Sequence, residues 1–573
     1  VAHAVGLPAG GSGRHVRSRA RDPVVRALSS RSDARRLPRL SRRASQLSSE
    51  PGPLAGDELD SSGRDDSGLV ALARGTGLTL VGGVASVALG FAATLVVTRG
   101  LGATGAGVFF VASAIFSILA TLAALGADIG CVRTVARYRA LGREREIRTI
   151  VAVAVVPVLV LSTLLALAVV LLSDEIGDLF AQDDADEVSA ALRVLMPVLP
   201  LAVLTAVAIG ATRGLGTMLP TFATEQLGRP LARLVGIGLL VAAGAGVTGA
   251  LVAVDATVVL AAGLALFWLL RLLRRAERGS LHTEAPRLAD TALEFWRFAF
   301  VRGLVSFPKV LIEWLDVILV GVLTSAAEAG VYAAVTRLVR VGSLGQRATI
   351  LAMSPRISAL FAVGDRAEVK TLYRVSTAWI VAFSFPAYLV LAFFSPTVVQ
   401  IFGDDFSDGA VVLTILSLAM LVDMAAGPVT TILLMAGKAS WVLANTTASL
   451  AINVGLNLLL IPAYGMTGAA IAWAASILFQ NLAAAFQIAY SFRLHPLGAG
   501  LAVAAGGAIA AYGTAGLVHL VWSGGTAAIA LVSLATAVYG GVVWYNREVL
   551  SLAVIREAIR FRPNRTPTLA GAP

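Results

Sequence analysis

From residue 77 to residue 545 the chain alternates long apolar runs with short polar segments. The runs lie at 77–97, 107–127, 149–172, 189–210, 231–247, 250–270, 297–323, 328–352, 376–396, 409–436, 441–461, 466–490, 498–519 and 526–545. Because a helix rises ~1.5 Å per residue, about twenty apolar residues cross a ~30 Å hydrocarbon layer. The pattern therefore predicts an all-α polytopic membrane protein of about fourteen transmembrane helices. With the N-terminus inside, the basic segments 133–148, 271–278, 356–370 and 556–565 all fall on the cytoplasmic side. The acidic segments 174–187 and 403–406 then fall outside. Both termini are thus expected in the cytoplasm, and the short outer loops leave no room for a sizeable extracytoplasmic domain.

Composition sharpens this picture. The 573 residues are 57% hydrophobic and 14% charged, with a mean hydropathy of +0.80, which excludes a water-soluble globular protein. The net charge of +11 does not indicate nucleic acid, since the excess sits in the first 75 residues and in the segments assigned to the cytoplasm. A single cysteine, Cys131, and five scattered histidines exclude a disulfide framework and a multi-cysteine metal site, and no cofactor is indicated. Residues 1–75, with RHVRSRARD and RRLPRLSRR, read as a disordered arginine-rich tail that either binds anionic membrane lipid or is dispensable. The tail lacks a small-residue cleavage site behind an apolar core, so the first run is expected to be a retained span.

Three string pairs recur in order about 220 residues apart: AGVF (106–109) and AGVY (329–332), ALGREREIR (140–148) and AVGDRAEVK (362–370), GVTGA (246–250) and GMTGA (465–469). An even number of helices separates equivalent points, so the halves have the same orientation, as parallel repeats. The expected organisation is a tail (1–75), a six-helix bundle (76–275), a cytoplasmic linker (276–296), a second six-helix bundle (297–495), two additional helices (496–546) and a basic tail (547–573). The dinucleotide-like string GAGVTG (244–249) lies between apolar runs without a strand-helix unit and is one of these turns. NTT (445–447) falls inside a span, and AGKAS (436–440) lacks a phosphate-binding loop, so neither glycosylation there nor ATP hydrolysis is expected.

The strings TRGLGATGAGVFFVA (98–112), LDVILVGVLTSAAEAGVYAAVTRL (315–338), MSPRISALFAVGDRAEVKTLYR (353–374) and IPAYGMTGAAIAWAAS (461–476) carry a resemblance over about 75–495. The chain resembles the polysaccharide exporter family, the Wzx-type lipid-linked oligosaccharide flippases, in the superfamily that also holds multidrug extruders and lipid II flippases. The resemblance implies a non-enzymatic transporter of polyprenyl-diphosphate-linked oligosaccharide, working by alternating access alongside glycosyltransferases and a polymerase. The rivals are a multidrug-type cation antiporter of the same fold, which favours acids and aromatics over basic groups, and a membrane-embedded glycan polymerase or ligase, which needs an outer acceptor domain. A non-transporting scaffold has no use for buried charge.

Within SFPKVLIEWLDVILVG (306–321) three charges interrupt an apolar run, each costing ~2.5–3.5 kcal/mol at the bilayer centre even on the mildest scale. Arg302, Lys309, Glu313 and Asp316 share a sector of roughly 60 degrees on a helix, and the next run carries Arg337, Arg340 and Arg347. Single-sided charge on adjacent helices suits a water-filled groove, and the resemblance implies an anionic head group held there by cations. Other readings stand beside this one: Arg302 snorkels at the inner end, Lys309 and Glu313 neutralise each other four residues apart, Asp316 is structural, and Arg347 lies near the inner surface. Asp255 and Asp423 are isolated acids, for coupling or for structure. Asn445, Asn453 and Asn457 are expected to bond helix to helix, and Gly82, Ser86 and Gly90 to form a close-packing stripe.

Overall fold

A computed structural model describes residues 61–279, 288–522 and 524–551. The chain divides into two units at Val70; of the first only residues 61–69 are described, and all that follows from Val70 onward belongs to the second. The arginine-rich tail to residue 60, the linker residues 280–287 and the basic tail from 552 lie outside the described residues, whereas residues 61–75, read as tail, are helical.

Helix α1 (Ser61–Ala124) holds the first two apolar runs and turns between them at Gly102, whose φ of 69° and ψ of −174° break the helical path. Only a residue without Cβ reaches that region without strain. After α2 (Ala127–Ala140) come α3 (Ile147–Leu171), α4 (Ser173–Gly177), α5 (Gln182–Leu195) and α6 (Leu199–Gly214). A π-helical stretch, Thr221–Gly228, runs directly into α7 (Arg229–Ala242), and α8 (Gly246–Gly279) closes the first half. The second half opens with α9 (Leu288–Leu323) and continues through α10 (Ala326–Val341), α11 (Leu344–Val363), α12 (Arg366–Phe393), α13 (Ser395–Val399), α14 (Gly409–Ala426) and α15 (Val429–Met435). Helix α16 (Ala439–Phe492) again holds two runs, turned at Gly465, before α17 (Ala499–Val521) and α18 (Gly525–Tyr545).

Among the described residues nine helical stretches are long and apolar enough to cross a membrane, two of them carrying two runs each. The three expected runs outside those nine lie on α7, on α9 and on α10 with α11. Helices α7 and α10 have only 14 and 16 residues, and the apolar run of α9 is interrupted by Lys309, Glu313 and Asp316; all of these helices contribute to the wall of a central cavity. No strand occurs among the described residues, and the chain is a multi-pass, all-α membrane protein.

The turns repeat as the strings do. Gly142 and Gly364, Gly216 and Gly437, and Gly246 and Gly465 all have positive φ at spacings of about 220 residues. The halves touch through another repeated pair: a Cβ on Gly107 would strike the carbonyl of Ala326, and one on Gly330 would strike that of Ala103 and the backbone of Gly107. Small residues let the two backbones approach.

More contacts gather at the end that carries the acidic segments. The Asp184 carboxylate accepts from Ala326 N at 2.8 Å and Arg99 Nε donates to Ile401 O at 2.8 Å. Glu328 accepts from Met466 N at 2.8 Å, which satisfies an amide exposed by the turn at Gly465. At the opposite, arginine-rich end, Phe295 and Ala299 of α9 belong to a buried core shared with α2, α3 and α6, and Trp296 Nε1 donates to Val153 O. Helix α9 therefore begins against the first half, although its later turns, at Val317 and Val320, pack in the core shared with α10. The expected boundary at 297 falls inside one continuous helix.

Candidate functional site

A cavity of about 710 Å³ lies between α1, the Thr221–Arg233 segment, α9, α10 and the start of α11. Its wall runs along α1 from Phe109 to Thr121 and on to Gly126, a depth of about 25 Å at helical rise. It lies on the arginine-rich side of the Gly107–Gly330 contact. Five arginines line it, Arg229, Arg233, Arg337, Arg340 and Arg347, against three acids, Asp128, Glu225 and Glu313. Ser86, Thr94, Ser113, Ser117 and Thr121 add hydroxyls, and Phe91, Phe109, Phe110, Phe116 and Trp314 add ring surface.

Two arginines are neutralised locally. Arg340 donates from Nη1 to Glu313 Oε1 at 2.5 Å and from Nη2 to the Glu313 carbonyl at 2.8 Å, joining α10 to α9. Arg229 approaches Glu225 at 3.6 Å, one turn along the same helix. Arg233, Arg337 and Arg347 have no ion-pair partner among the described residues. Two of these three lie on aromatic faces: Arg337 is 3.9 Å from the Phe110 ring centre and 5.3 Å from that of Trp314, and Arg233 is 5.5 Å from that of Phe109. Such contacts are worth about 0.5–2 kcal/mol and hold the guanidinium plane; Arg337 also donates from Nη1 to Ala333 O at 2.9 Å, one turn back on α10, and its other N–H groups are left for an acceptor. Phe109 and Phe110 are themselves edge to face, 5.4 Å apart. One aromatic pair thus seats a cation from each half of the chain.

Of the residues singled out in the sequence, Glu313, Arg337, Arg340 and Arg347 lie on this wall. Arg302 and Lys309 are exposed and do not line the cavity, and Glu313 is engaged by Arg340 in place of Lys309. Asp316 is buried away from the cavity, where it accepts from Tyr332 Oη at 3.0 Å, Asn457 Nδ2 at 2.7 Å and Asn453 Nδ2 at 3.5 Å. It ties α9 to α10 and α16. Asp423 accepts from Asn481 at 2.7 Å and Gln346 at 3.3 Å, and Asp255, on α8, is half-buried with Oδ1 unpartnered among the described residues. Asn445 exchanges two 2.9 Å bonds with Gln487. Gly82 packs against Phe222 and Gln226, but Gly90 has open space beside it and, with Ser86, lines the cavity, so that stripe is only partly a packing face.

The pattern reading missed Glu225, Arg229 and Arg233. Starting the fifth apolar run at residue 231 put both arginines at a helix end, where cations snorkel. The helix in fact continues back through the π-helical stretch, so both lie inside the bundle. The usable signal was the 225, 229, 233 spacing, which places all three on one helix face. π-Helical turns are rare and favour functional sites.

A sequence profile of the polysaccharide biosynthesis protein family matches residues 72–361. The probable low-salt glycan biosynthesis flippase Agl15 of Haloferax volcanii is 24% identical over 200 residues, which are 33% of this chain and 42% of that protein. The chain thus spans less than half the length of that curated relative. The fold is similar to lipid II flippase MurJ in an inward closed conformation, with TM-score 0.62, 11% identity, and coverage of 83% of this chain and 98% of that one. A multidrug resistance MATE family transporter of the MOP superfamily in its inward-facing conformation aligns with TM-score 0.57, 16% identity, and coverage of 73% and 94%.

Proposed function

The chain belongs to the polysaccharide biosynthesis protein family, and on that premise we propose that it is a flippase for polyprenyl-diphosphate-linked oligosaccharide. The observation that carries this reading is the seating of Arg233 and Arg337, one from each half, on Phe109 and Phe110. Two guanidiniums with no carboxylate partner, and with N–H groups to spare beyond the Arg337 bond to Ala333 O, suit the several acceptor oxygens of a diphosphate. The hydroxyls of Ser113, Ser117 and Thr121 suit the sugar that follows. Because the Gly107–Gly330 contact closes the acidic end, the cavity is offered from the arginine-rich end, which positive-inside charge bias assigns to the cytoplasm.

Transport then consists of rocking the two repeated bundles about that contact, releasing the head group at the outer face of the cell membrane. The chain performs no covalent chemistry, and it works beside the glycosyltransferases that build the cargo and the polymerase that consumes it. The multidrug antiporter reading draws support from the five aromatic residues on the wall, but a cationic drug entering there meets more arginines than acids.

Binding to the purified protein separates the two. A diphosphate-linked oligosaccharide should bind, and the double variant R233Q/R337Q should weaken it by about tenfold or more. If a lipophilic cation binds instead, and that variant strengthens it, the antiporter reading replaces this one.

A further inference from the structure

A second pocket, of about 460 Å³, lies at the arginine-rich end between α2 and the first turns of α9. Arg133 and Arg137 of α2 and Glu294, Arg297 and Phe298 of α9 line it. None of these residues lines the central cavity. Glu294 pairs with Arg137, while Arg133 lies over the Phe298 ring at 4.1 Å, which leaves its N–H edge for an acceptor. Neither Arg133 nor Arg297 has an ion-pair partner among the described residues. Three guanidiniums against one carboxylate make this a seat for an anion with several acceptor oxygens.

The surroundings specify what carries that anion. Along α9, Leu293, Phe300, Val301 and Leu304 are 72%, 54%, 58% and 60% exposed, and their spacing puts them on the helix face that also bears Arg297. A soluble phosphate ester would gain nothing from this apolar row. A membrane lipid would use both parts, its chains along the row and its phosphate among the arginines, at the depth where basic pockets between helices meet head groups.

We propose that this pocket binds the phosphate head group of an anionic membrane lipid, with its hydrocarbon chains on the Leu293–Leu304 face. A bound phosphate competes with Glu294 for Arg137, so occupancy loosens the ion pair that joins α2 to α9. The same chemistry belongs to a phospholipid and to a polyprenyl diphosphate, and the test separates them.

Native mass spectrometry of the full chain counts retained lipid after exposure to phosphatidylglycerol, phosphatidylcholine or polyprenyl diphosphate. The wild type should retain phosphatidylglycerol over phosphatidylcholine, and R133Q/R297Q should lower that retention by about tenfold or more. E294Q should raise it, while R337Q, in the central cavity, should leave it unchanged. If polyprenyl diphosphate displaces phosphatidylglycerol at lower concentration in the wild type and in R337Q alike, the carrier is the natural source and the site stands. Inorganic pyrophosphate should not displace the lipid; if it does so as well as polyprenyl diphosphate, the lipid assignment fails. Unchanged retention in R133Q/R297Q, at an unchanged unfolding temperature, overturns the proposal.

Discussion

The guanidinium of Arg337 lies 3.9 Å from the centre of the Phe110 ring, a contact across the two halves of the chain. The ring orients the plane, and in the proposed mechanism the charge meets the substrate. Arg337→Lys keeps the charge but loses the stacked plane and the bidentate edge, so transport in reconstituted vesicles should fall by about tenfold. Phe110→Ala should fall by about three- to tenfold, the size of one such contact, with Arg337 still charged. Equal activity of wild type and Arg337→Lys would mean that only charge matters there.

The Gly107–Gly330 contact predicts a conformational defect. A methyl at either position meets backbone carbonyl, and overpacking of this kind costs about 1–3 kcal/mol. Gly107→Ala and Gly330→Ala should each lower the unfolding temperature in detergent. They should also raise labelling, from the acidic end, of a cysteine placed at Ala103. Labelling that does not change would show that the acidic end closes elsewhere.

The Asp316 knot predicts a loss of stability that exposed charges on the same helix do not share. Asp316→Ala leaves the Tyr332 hydroxyl and the Asn453 and Asn457 amides without their acceptor, at about 1–3 kcal/mol for each buried donor stranded. Arg302→Gln and Lys309→Gln remove exposed charges and should stay within about 0.5 kcal/mol of wild type. Thermal unfolding in detergent compares the three directly.

How far the sequence reached is visible in these residues. The face shared by Glu313 and Asp316 was legible from helical spacing, but a wheel cannot say which neighbour that face meets. Arg340, on the next helix, took the partner that spacing offered to Lys309. Asp316 turned inward because α16 supplies two asparagines more than 130 residues away, a pairing that no local pattern encodes. The repeat was legible because its turns need positive-φ glycine, and Gly142, Gly246, Gly364 and Gly465 sit in the strings that recur. Arg229 and Arg233 were hidden because a π-helical stretch carries the helix past the apparent end of its apolar run.

Water access tests the cavity independently of any substrate. Ser113→Cys and Ser117→Cys put thiols on its wall, while Ser449 and Ser476, both fully buried, lie away from it. A water-soluble thiol reagent should modify the first two and leave Ser449→Cys and Ser476→Cys unreacted, with the native Cys131 silent in its buried site. Modification at positions 113 and 117 should slow when a diphosphate-linked oligosaccharide is present. Equal protection at all four positions would remove the aqueous cavity.

The central claim is that the arginine pair moves an anionic lipid-linked glycan, and translocation under an imposed membrane potential tests it most directly. A head group of about two negative charges gains ~4–5 kcal/mol on leaving a compartment held 100 mV negative, at ~2.3 kcal/mol per charge. In vesicles with the arginine-rich end inside and no sodium or proton gradient, valinomycin and potassium set the potential. Transfer of the diphosphate-linked oligosaccharide to the outer leaflet should quicken when the interior is made negative, and R233Q/R337Q should abolish that transfer. Transfer that ignores the potential and follows a cation gradient would contradict the drive, and transfer undiminished in R233Q/R337Q would contradict the claim itself.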